Sequence, residues 1–193
     1  MPTIFAHAVI GSAIAKLAAR ETIHPRTVIA CSLLAILPDV DGLFFGRIPY
    51  AHLFGHRGLT HSLLFAVIAG LLTALFFIWR GWIQRVEWLV YSLLFARATA
   101  SHGVLDAFTN GGLGVAFFAP FNPTRYFFPY RPIPVSPMTG AGLLTARGWR
   151  VIAGELLLLW TFAAAVWLWK RDSVWRCVWS VIGALIGVWA WLA

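Results

Sequence analysis

Long runs of apolar residues alternate with short polar segments along the chain. Four runs approach the roughly 20 residues that a helix needs to cross a bilayer: Ser62–Trp79, Trp88–Phe108, Arg150–Trp169 and Val174–Ala193. Each run is apolar on all sides, which is typical of helices surrounded by lipid or by other helices. Tryptophans gather at the ends of the runs, where membrane proteins place them at headgroup level. The pattern therefore predicts four transmembrane helices.

The N-terminal part of the chain has a weaker pattern. Thr3–Ala19 and Thr27–Leu37 are helical in pattern but short, and Pro25 lies between them. We expect a helical hairpin that dips into the membrane or crosses it obliquely. A signal peptide is the alternative, but no basic segment precedes the apolar stretch. The predicted fold is an all-α, polytopic membrane bundle: four transmembrane helices plus this hairpin, in one domain of residues 1–193.

Two stretches lack a helical pattern, Gly42–His61 and Thr109–Gly148. The second contains six of the ten prolines, which exclude a continuous helix there. It is also rich in Phe and Tyr, which is unlike a disordered linker. We expect it to pack against the membrane surface.

Composition supports the membrane assignment. Of the 193 residues, 60% are hydrophobic and 11% are charged, whereas a soluble domain is nearer half apolar and a quarter charged. A soluble enzyme, a disordered tail and a disulfide scaffold are thereby excluded. The net charge of +8 comes from basic residues that are scattered or lie at the ends of apolar runs, which favours anionic headgroups over nucleic acid as the partner.

The placement of the basic residues predicts an orientation. Arg80 and Arg85 lie in one short connection, and Lys170 and Arg171 lie in another. With four spans, both connections lie on one face, which the positive-inside rule makes cytoplasmic. The two irregular stretches then lie on the extracytoplasmic face.

Ionisable side chains occur at the ends of the predicted helices. Such groups are costly at membrane depth, so they mark functional sites or partnered interiors. The set consists of His7, Asp39, Asp41, His56, His61, His102 and Asp106. The predicted topology brings all of them to one side of the membrane.

The chemistry of this set favours a metal site. His102 and Asp106 are four residues apart, so they share a helix face. Imidazole mixed with carboxylate suits zinc or manganese, and seven donors exceed the need of one zinc ion. The sequence predicts one or two divalent ions, most readily zinc, held by His7, Asp41, His56, His61, His102 and Asp106. The predicted catalytic residues are Asp39, Asp41, His56 and Arg57. A buried polar network without metal is the alternative.

The roles of three other residues can also be predicted. Arg57 can hold a substrate phosphate through its two-pronged guanidinium. Arg97, in the middle of a span, is expected to pair with a carboxylate of the site. Thr60 is expected to be a helix-capping hydroxyl.

Four segments carry a resemblance to a known family. They are Ala6-His7, Leu37-Pro38-Asp39-Val40-Asp41, His56-Arg57-Gly58-Leu59-Thr60-His61-Ser62 and Ser101-His102-Gly103-Val104-Leu105-Asp106. With them the chain resembles the YdjM-type family of inner-membrane, metal-dependent hydrolases, some of which are LexA-regulated. The resemblance covers roughly residues 1–120. It implies a multi-pass protein of the bacterial inner (cytoplasmic) membrane.

A more distant similarity is to the helical fold of zinc-dependent phospholipase C and single-strand nucleases. It implies metal ligation by His7, His61, His102 and Asp106. It also implies that Asp39 or Asp41 is a ligand or a general base. The soluble proteins continue with a further His and a His-x-x-x-Glu pair, whereas this chain has no His after His102. A full three-metal centre is therefore not expected.

The predicted function is hydrolysis of a phosphoester of a membrane lipid or lipid-linked substrate by metal-activated water. A metal-ion or proton transporter is the alternative, because His and Asp within spans also build ion pathways. A haem protein with paired His ligands is a third hypothesis, disfavoured by the accompanying carboxylates.

Overall fold

The structure, a computed structural model, describes residues 1–18, 23–137, 140–168 and Gly183. These residues are helical or irregular and contain no β-strand. The α-helices are α1 (Ile4–Ala18), α2 (Pro25–Ile36), α3 (Leu63–Trp79), α4 (Trp88–Ala107), α5 (Gly140–Leu143), α6 (Ala146–Glu155) and α7 (Thr161–Leu168). Short 3-10 helices cover Leu37–Phe44, Leu59–His61 and Arg85–Glu87, and a π-helical turn, Leu156–Trp160, joins α6 to α7. The all-helical prediction is confirmed for the described residues.

The predicted apolar runs correspond to helices with small shifts. Ser62 caps α3 by accepting the backbone N–H of Phe65, so the helix begins where predicted. Thr3 caps α1 through the N–H of Ala6, and His24 caps α2 with Pro25 in the first turn. The predicted span Val174–Ala193 lies, apart from Gly183, outside the described residues.

The prediction of four strong transmembrane helices is not matched by the described residues. Two helices are long and apolar enough to cross a membrane, Pro25–Phe44 and Ala146–Leu168. The run in α3 is apolar but has only 17 residues. The 20-residue α4 carries Arg97, His102 and Asp106, which lower its hydropathy. Conversely, the second arm of the predicted hairpin is longer than expected, because the 3-10 helix Leu37–Phe44 extends α2.

Helix α4 is the centre of the bundle. It packs against α1, α2 and α3, and α1 also contacts α2 and α7. Close approach depends on small residues: a Cβ at Gly11 of α1 would lie 2.4 Å from the carbonyl oxygen of Cys31 in α2, and one at Gly70 of α3 would lie 2.6 Å from the backbone of α4. These crossings bring the C-terminal ends of α2 and α4 to the N-terminal ends of α1 and α3.

The stretch Thr109–Gly148 folds over this end of the bundle. It is largely irregular, as predicted, although α5 and the start of α6 lie inside it. Its backbone pairs with the bundle, for example from the N–H of Phe128 to the carbonyl of Ala107. Phe128 stacks on Phe108 with ring centres 4.2 Å apart. Phe128 therefore packs against the end of α4, whereas Phe118, Phe121 and Tyr130 are exposed.

Candidate metal centre

The ionisable side chains selected from the sequence lie together at one end of the bundle. The Nε2 atom of His7 lies 3.7 Å from Oδ1 of Asp106, although 99 residues separate them in the chain. His7, His102 and Asp106 are fully buried, and His61 is 3% exposed. The predicted convergence is confirmed, while the chemical role of each residue stays a prediction.

Each of these side chains lies near the end of a helix. His7 lies in the first turns of α1, and His102 and Asp106 lie in the last two turns of α4. Pro38 has no N–H to continue the α2 hydrogen bonding, and the chain tightens there into the 3-10 helix that carries Asp39 and Asp41. The site is thus assembled where three helices meet.

Four side-chain atoms form a closed ring. The Oδ1 atom of Asp39 lies 3.2 Å from Nε2 of His102 and 3.9 Å from Nε2 of His61. The Oδ2 atom of Asp106 closes the ring, 3.5 Å from Nε2 of His61 and 4.0 Å from Nε2 of His102. Ligands about 2.1 Å from a tetrahedral zinc ion are roughly 3.4 Å apart. The ring therefore has the dimensions of a metal coordination shell.

Atoms around this ring lack hydrogen-bond partners among the described residues. They are both ring nitrogens of His7, both carboxylate oxygens of Asp39 and of Asp106, Nε2 of His61 and of His102, and Nε of Arg57. Of these, Nε of Arg57 and Oδ2 of Asp106 lie 2.9 Å apart as an ion pair. Buried polar atoms in native proteins are almost always hydrogen-bonded, because leaving one unsatisfied costs about 1–3 kcal/mol. These buried groups could therefore hold a metal ion.

Two of the imidazoles are oriented by their other nitrogen. Nδ1 of His102 donates to the carbonyl oxygen of Ala35 at 2.7 Å. Nδ1 of His61 lies 3.0 Å from the hydroxyl of Thr60 and 3.1 Å from the carboxylate of Asp41. Donation from Nδ1 leaves the lone pair on Nε2, which is the usual arrangement of a metal-ligating histidine. Both Nε2 atoms belong to the ring.

Asp41 and His56 are hydrogen-bonded differently from the residues of the ring. Nδ1 of His56 donates to Oδ1 of Asp41 at 2.7 Å. Oδ2 of Asp41 accepts the hydroxyl of Thr60 at 2.6 Å and the backbone N–H of Arg57 at 3.2 Å. Both carboxylate oxygens of Asp41 are therefore already engaged. The capping role expected of Thr60 is wrong, because Ser62 caps α3 and the hydroxyl of Thr60 donates to Asp41 instead.

The described residues nevertheless contain two groups of candidate metal ligands. Asp39, Asp41, His56 and His61 each offer a ligand atom within 4.8 Å of those of the others, and so do His7, His102 and Asp106. These groups can hold a metal ion, and their mixture of imidazole and carboxylate matches the donors of zinc and manganese sites.

The guanidinium of Arg57 is bound on all three nitrogens by other residues of the protein. Its Nε lies 2.9 Å from Oδ2 of Asp106, while Nη1 donates to the carbonyl of Gly111 and Nη2 to the hydroxyl of Thr109, each at 2.9 Å. The side chain is only 1% exposed. The phosphate-holding role predicted for Arg57 would require these contacts to break. Its partners lie about 50 residues away in the chain, which is why the sequence did not indicate them.

The electrostatics of the site favour positive charge at its centre. Burial opposes protonation of His61, but its contacts with Asp106 and Asp41 outweigh burial and raise its pKa to about 9. The same carboxylates would stabilise a divalent cation.

A cavity of about 270 Å³ adjoins the site. Its wall includes Tyr50, His56, Arg57 and Arg147. His56 and Arg57 thus lie between this cavity and the buried carboxylates that they contact. Arg147, which the sequence analysis did not select, adds an exposed guanidinium to the wall.

Two further residues, Arg125 and Glu155, support the site although no sequence pattern indicates them. Arg125 donates to the backbone carbonyls of His56 at 3.0 Å and of Tyr50 at 2.8 Å, and so holds the loop that carries His56. Glu155 is buried and accepts both the backbone N–H and the hydroxyl of Thr3 at the start of α1. Both partnerships span about 70 or more residues of sequence, so no local pattern reveals them.

Three residues lie outside the site. His24 and His52 are exposed and use Nδ1 to accept nearby backbone N–H groups, as expected of structural histidines. Arg97 is exposed on α4 and forms no ion pair with the described carboxylates, so its predicted pairing at the site is wrong. Arg97 lies on the exposed side of α4, away from the buried cluster.

Comparison with known proteins identifies the class. The described helices and the buried polar cluster are those of a membrane-associated, all-helical protein with a possible metal site. The YdjM inner membrane protein family matches residues 1–190, so the chain belongs to that family. It is 38% identical over 162 residues to the inner membrane protein YbcI of Escherichia coli (strain K12), which covers 83% of this chain and 91% of YbcI.

The same comparisons give no support to the more distant similarity. No solved structure matches the chain. The likeness to zinc-dependent phospholipase C therefore stays a prediction.

Proposed function

We propose that this protein is a membrane-bound, metal-dependent hydrolase that cleaves a phosphoester of a lipid or lipid-linked substrate. The observation that carries the proposal is the ring of buried imidazole and carboxylate atoms without hydrogen-bond partners. A purely structural polar network would satisfy its own atoms. An inner-membrane family and a site at the ends of helices favour a substrate near the headgroups.

In this proposal Asp39, His61, His102 and Asp106 are the metal ligands, and His7 completes the site beside Asp106. This set differs from the sequence-based one, because it includes Asp39 and gives Asp41 and His56 a supporting role. The reason is that Asp41 already accepts three hydrogen bonds, whereas both oxygens of Asp39 accept none from the described residues. One or two divalent ions, zinc or manganese, fit these donors.

A divalent ion bound there supplies Lewis-acid activation of water and stabilises negative charge on the phosphoryl group. Asp39, whose side chain is 8% exposed, takes the proton of the attacking water. His56 lines the adjoining cavity and keeps its Nδ1 proton on Asp41. In its imidazolium form it carries a second proton on Nε2, and this proton is transferred to the leaving alcohol. Arg147 on the cavity wall attracts the anionic substrate, while Arg57 holds Asp106 in position.

The first test separates metal ligands from supporting residues. We expect Asp39→Asn, His102→Gln and Asp106→Asn to remove bound metal and phosphoesterase activity together. Asp41→Asn and His56→Gln should retain a bound ion with roughly 10- to 100-fold weaker affinity, because they act on ligand orientation or proton transfer. Elemental analysis of the purified protein and a panel of phospholipid and polyprenyl phosphoesters supply the two readouts.

The chain offers matched controls for this test. His24→Gln and His52→Gln change exposed histidines outside the cluster, so metal content and activity should stay at the level of the unchanged protein. Retained metal together with normal turnover in both His102→Gln and Asp106→Asn would contradict the proposal. Metal-dependent ion flux in proteoliposomes without phosphoester turnover would favour the transporter alternative instead.

A further inference from the structure

A second cavity extends along α2 from the end of the bundle that is opposite the candidate metal centre. It has a volume of about 460 Å³ and is bounded by α2, α3 and the turn that follows α3. Helices α2 and α3 both pack on α4 but scarcely touch each other, which leaves a groove between them. The groove extends from Arg26 to Leu37 on α2, which is about 16 Å of helix. This length is about the depth of one leaflet of a bilayer.

The interior of this groove accepts only hydrocarbon. Its walls are formed by apolar side chains such as Leu33, Leu34 and Phe76. Thr73 is the hydroxyl-bearing residue of the wall, and its hydroxyl donates to the carbonyl of Ala69 in its own helix. No polar group of the interior therefore remains to bind a polar occupant.

The mouth of the groove, in contrast, is cationic. The guanidinium of Arg26 lies 4.7 Å and that of Arg80 lies 5.5 Å from the centre of the Trp82 ring. Trp82 itself is held edge-on against Phe76 and Phe77, with ring centres 5.6 and 5.0 Å apart. The two positive charges are thus held at the point where the apolar groove ends.

No described carboxylate neutralises these two arginines. Of the acidic residues that the structure describes, Glu87 is the one at this end of the bundle. Its carboxylate accepts the backbone N–H of Gln84 in a capping box. Among the residues that the structure describes, the guanidinium groups of Arg26 and Arg80 are therefore available to an external anion.

We propose that the groove between α2 and α3 binds one anionic phospholipid, with an acyl chain in the groove and the phosphate at Arg26 and Arg80. An apolar groove of leaflet depth with a cationic, Trp-lined mouth matches that chemistry at both ends. Arg26, which would bind the phosphate, and Asp39 of the candidate metal site are separated by about 20 Å of helix. This lipid is therefore a bound partner and not the substrate of the metal centre, and the inference does not depend on the proposed hydrolase activity.

The test measures lipid binding to the full-length protein in detergent. Native mass spectrometry and the thermal unfolding midpoint are followed during titration with phosphatidylglycerol or with phosphatidylcholine of the same acyl chains. We expect roughly tenfold tighter binding of phosphatidylglycerol, because each arginine near an anionic headgroup contributes to affinity. Inorganic phosphate, which cannot use the groove, should produce no shift. Equal binding of the two lipids, or a phosphate shift as large as that of phosphatidylglycerol, would overturn the proposal.

Variants separate the mouth from the groove. The double change Arg26→Gln and Arg80→Gln removes the two guanidinium groups that lie over Trp82 and should abolish the preference for phosphatidylglycerol. Arg85→Gln changes another exposed arginine of the same connection and should keep that preference. Leu33→Trp places a large ring at an exposed position of the groove wall and should weaken binding of both lipids. The same loss in Arg85→Gln, or unchanged binding in Leu33→Trp, would contradict the assigned site.

Discussion

Arg57 illustrates how a single residue can be strained and yet essential to a site. Its backbone φ is 62°, in the left-handed region that costs a non-glycine residue of order 1–3 kcal/mol. The backbone N–H bonds to Asp41, and the guanidinium is held by Asp106, Gly111 and Thr109. The surrounding contacts therefore stabilise a conformation that connects the two carboxylates through one residue.

We predict that Arg57→Gln weakens metal binding by roughly 10- to 100-fold, because Asp106 loses the cation that orients it. Competition with a chelator of known affinity measures the change. Arg47→Gln, which alters an exposed arginine of the neighbouring loop, should leave the metal affinity unchanged. An Arg57→Gln protein with unaltered affinity would show that Asp106 needs no such partner.

Helix α1 is held at its N-terminus by Glu155, a residue 152 positions away from Thr3 in the chain. Glu155, at the end of α6 and next to the π-helical turn, accepts the N–H and the hydroxyl of Thr3. These bonds satisfy donors at the N-terminus of α1, the helix that carries His7. The position of His7 in the cluster is thereby coupled to α6.

We predict that Glu155→Leu lowers the free energy of unfolding by about 1–3 kcal/mol, because two buried donors of Thr3 lose their acceptor. Thermal unfolding in detergent measures the loss. A double-mutant cycle with Thr3→Val isolates the interaction: the two changes together should cost less than the sum of each alone. Strict additivity would contradict the coupling of α1 to α6.

The elements show what could be predicted from the sequence and what could not. The helix positions followed from apolar runs, and the convergence of His7, Asp39 and Asp106 followed from counting helix directions. The roles of Arg125, Glu155 and Thr60 did not, because each depends on hydrogen bonds between segments whose relative placement only the fold determines. Likewise, among the described residues α4 was predicted as a transmembrane helix but is not one of the two candidate spans, because polar residues interrupt it.

At the scale of the whole molecule, charge and chemistry lie at opposite ends. The buried His and Asp cluster that could hold a metal ion occupies the end formed by Asp39, His61 and Asp106, whereas Arg26 and Arg80 lie at the other end. The positive-inside rule then favours a cytoplasmic location for the arginine end. Several arginines of the loop over the metal cluster oppose this bias, but Arg125 is engaged with backbone carbonyls. We propose that the metal centre faces the extracytoplasmic side.

Single cysteines test this orientation. Phe121, 84% exposed in the loop over the metal cluster, and Val86, 81% exposed in the turn before α4, are replaced one at a time by cysteine. The background is a chain whose Cys31 and Cys177 are changed to alanine. We expect a membrane-impermeant maleimide to label Phe121→Cys in intact cells and Val86→Cys only after permeabilisation. The opposite pattern would place the metal centre on the cytoplasmic side, and equal labelling of both in intact cells would contradict a bundle whose two ends lie on different faces of the membrane.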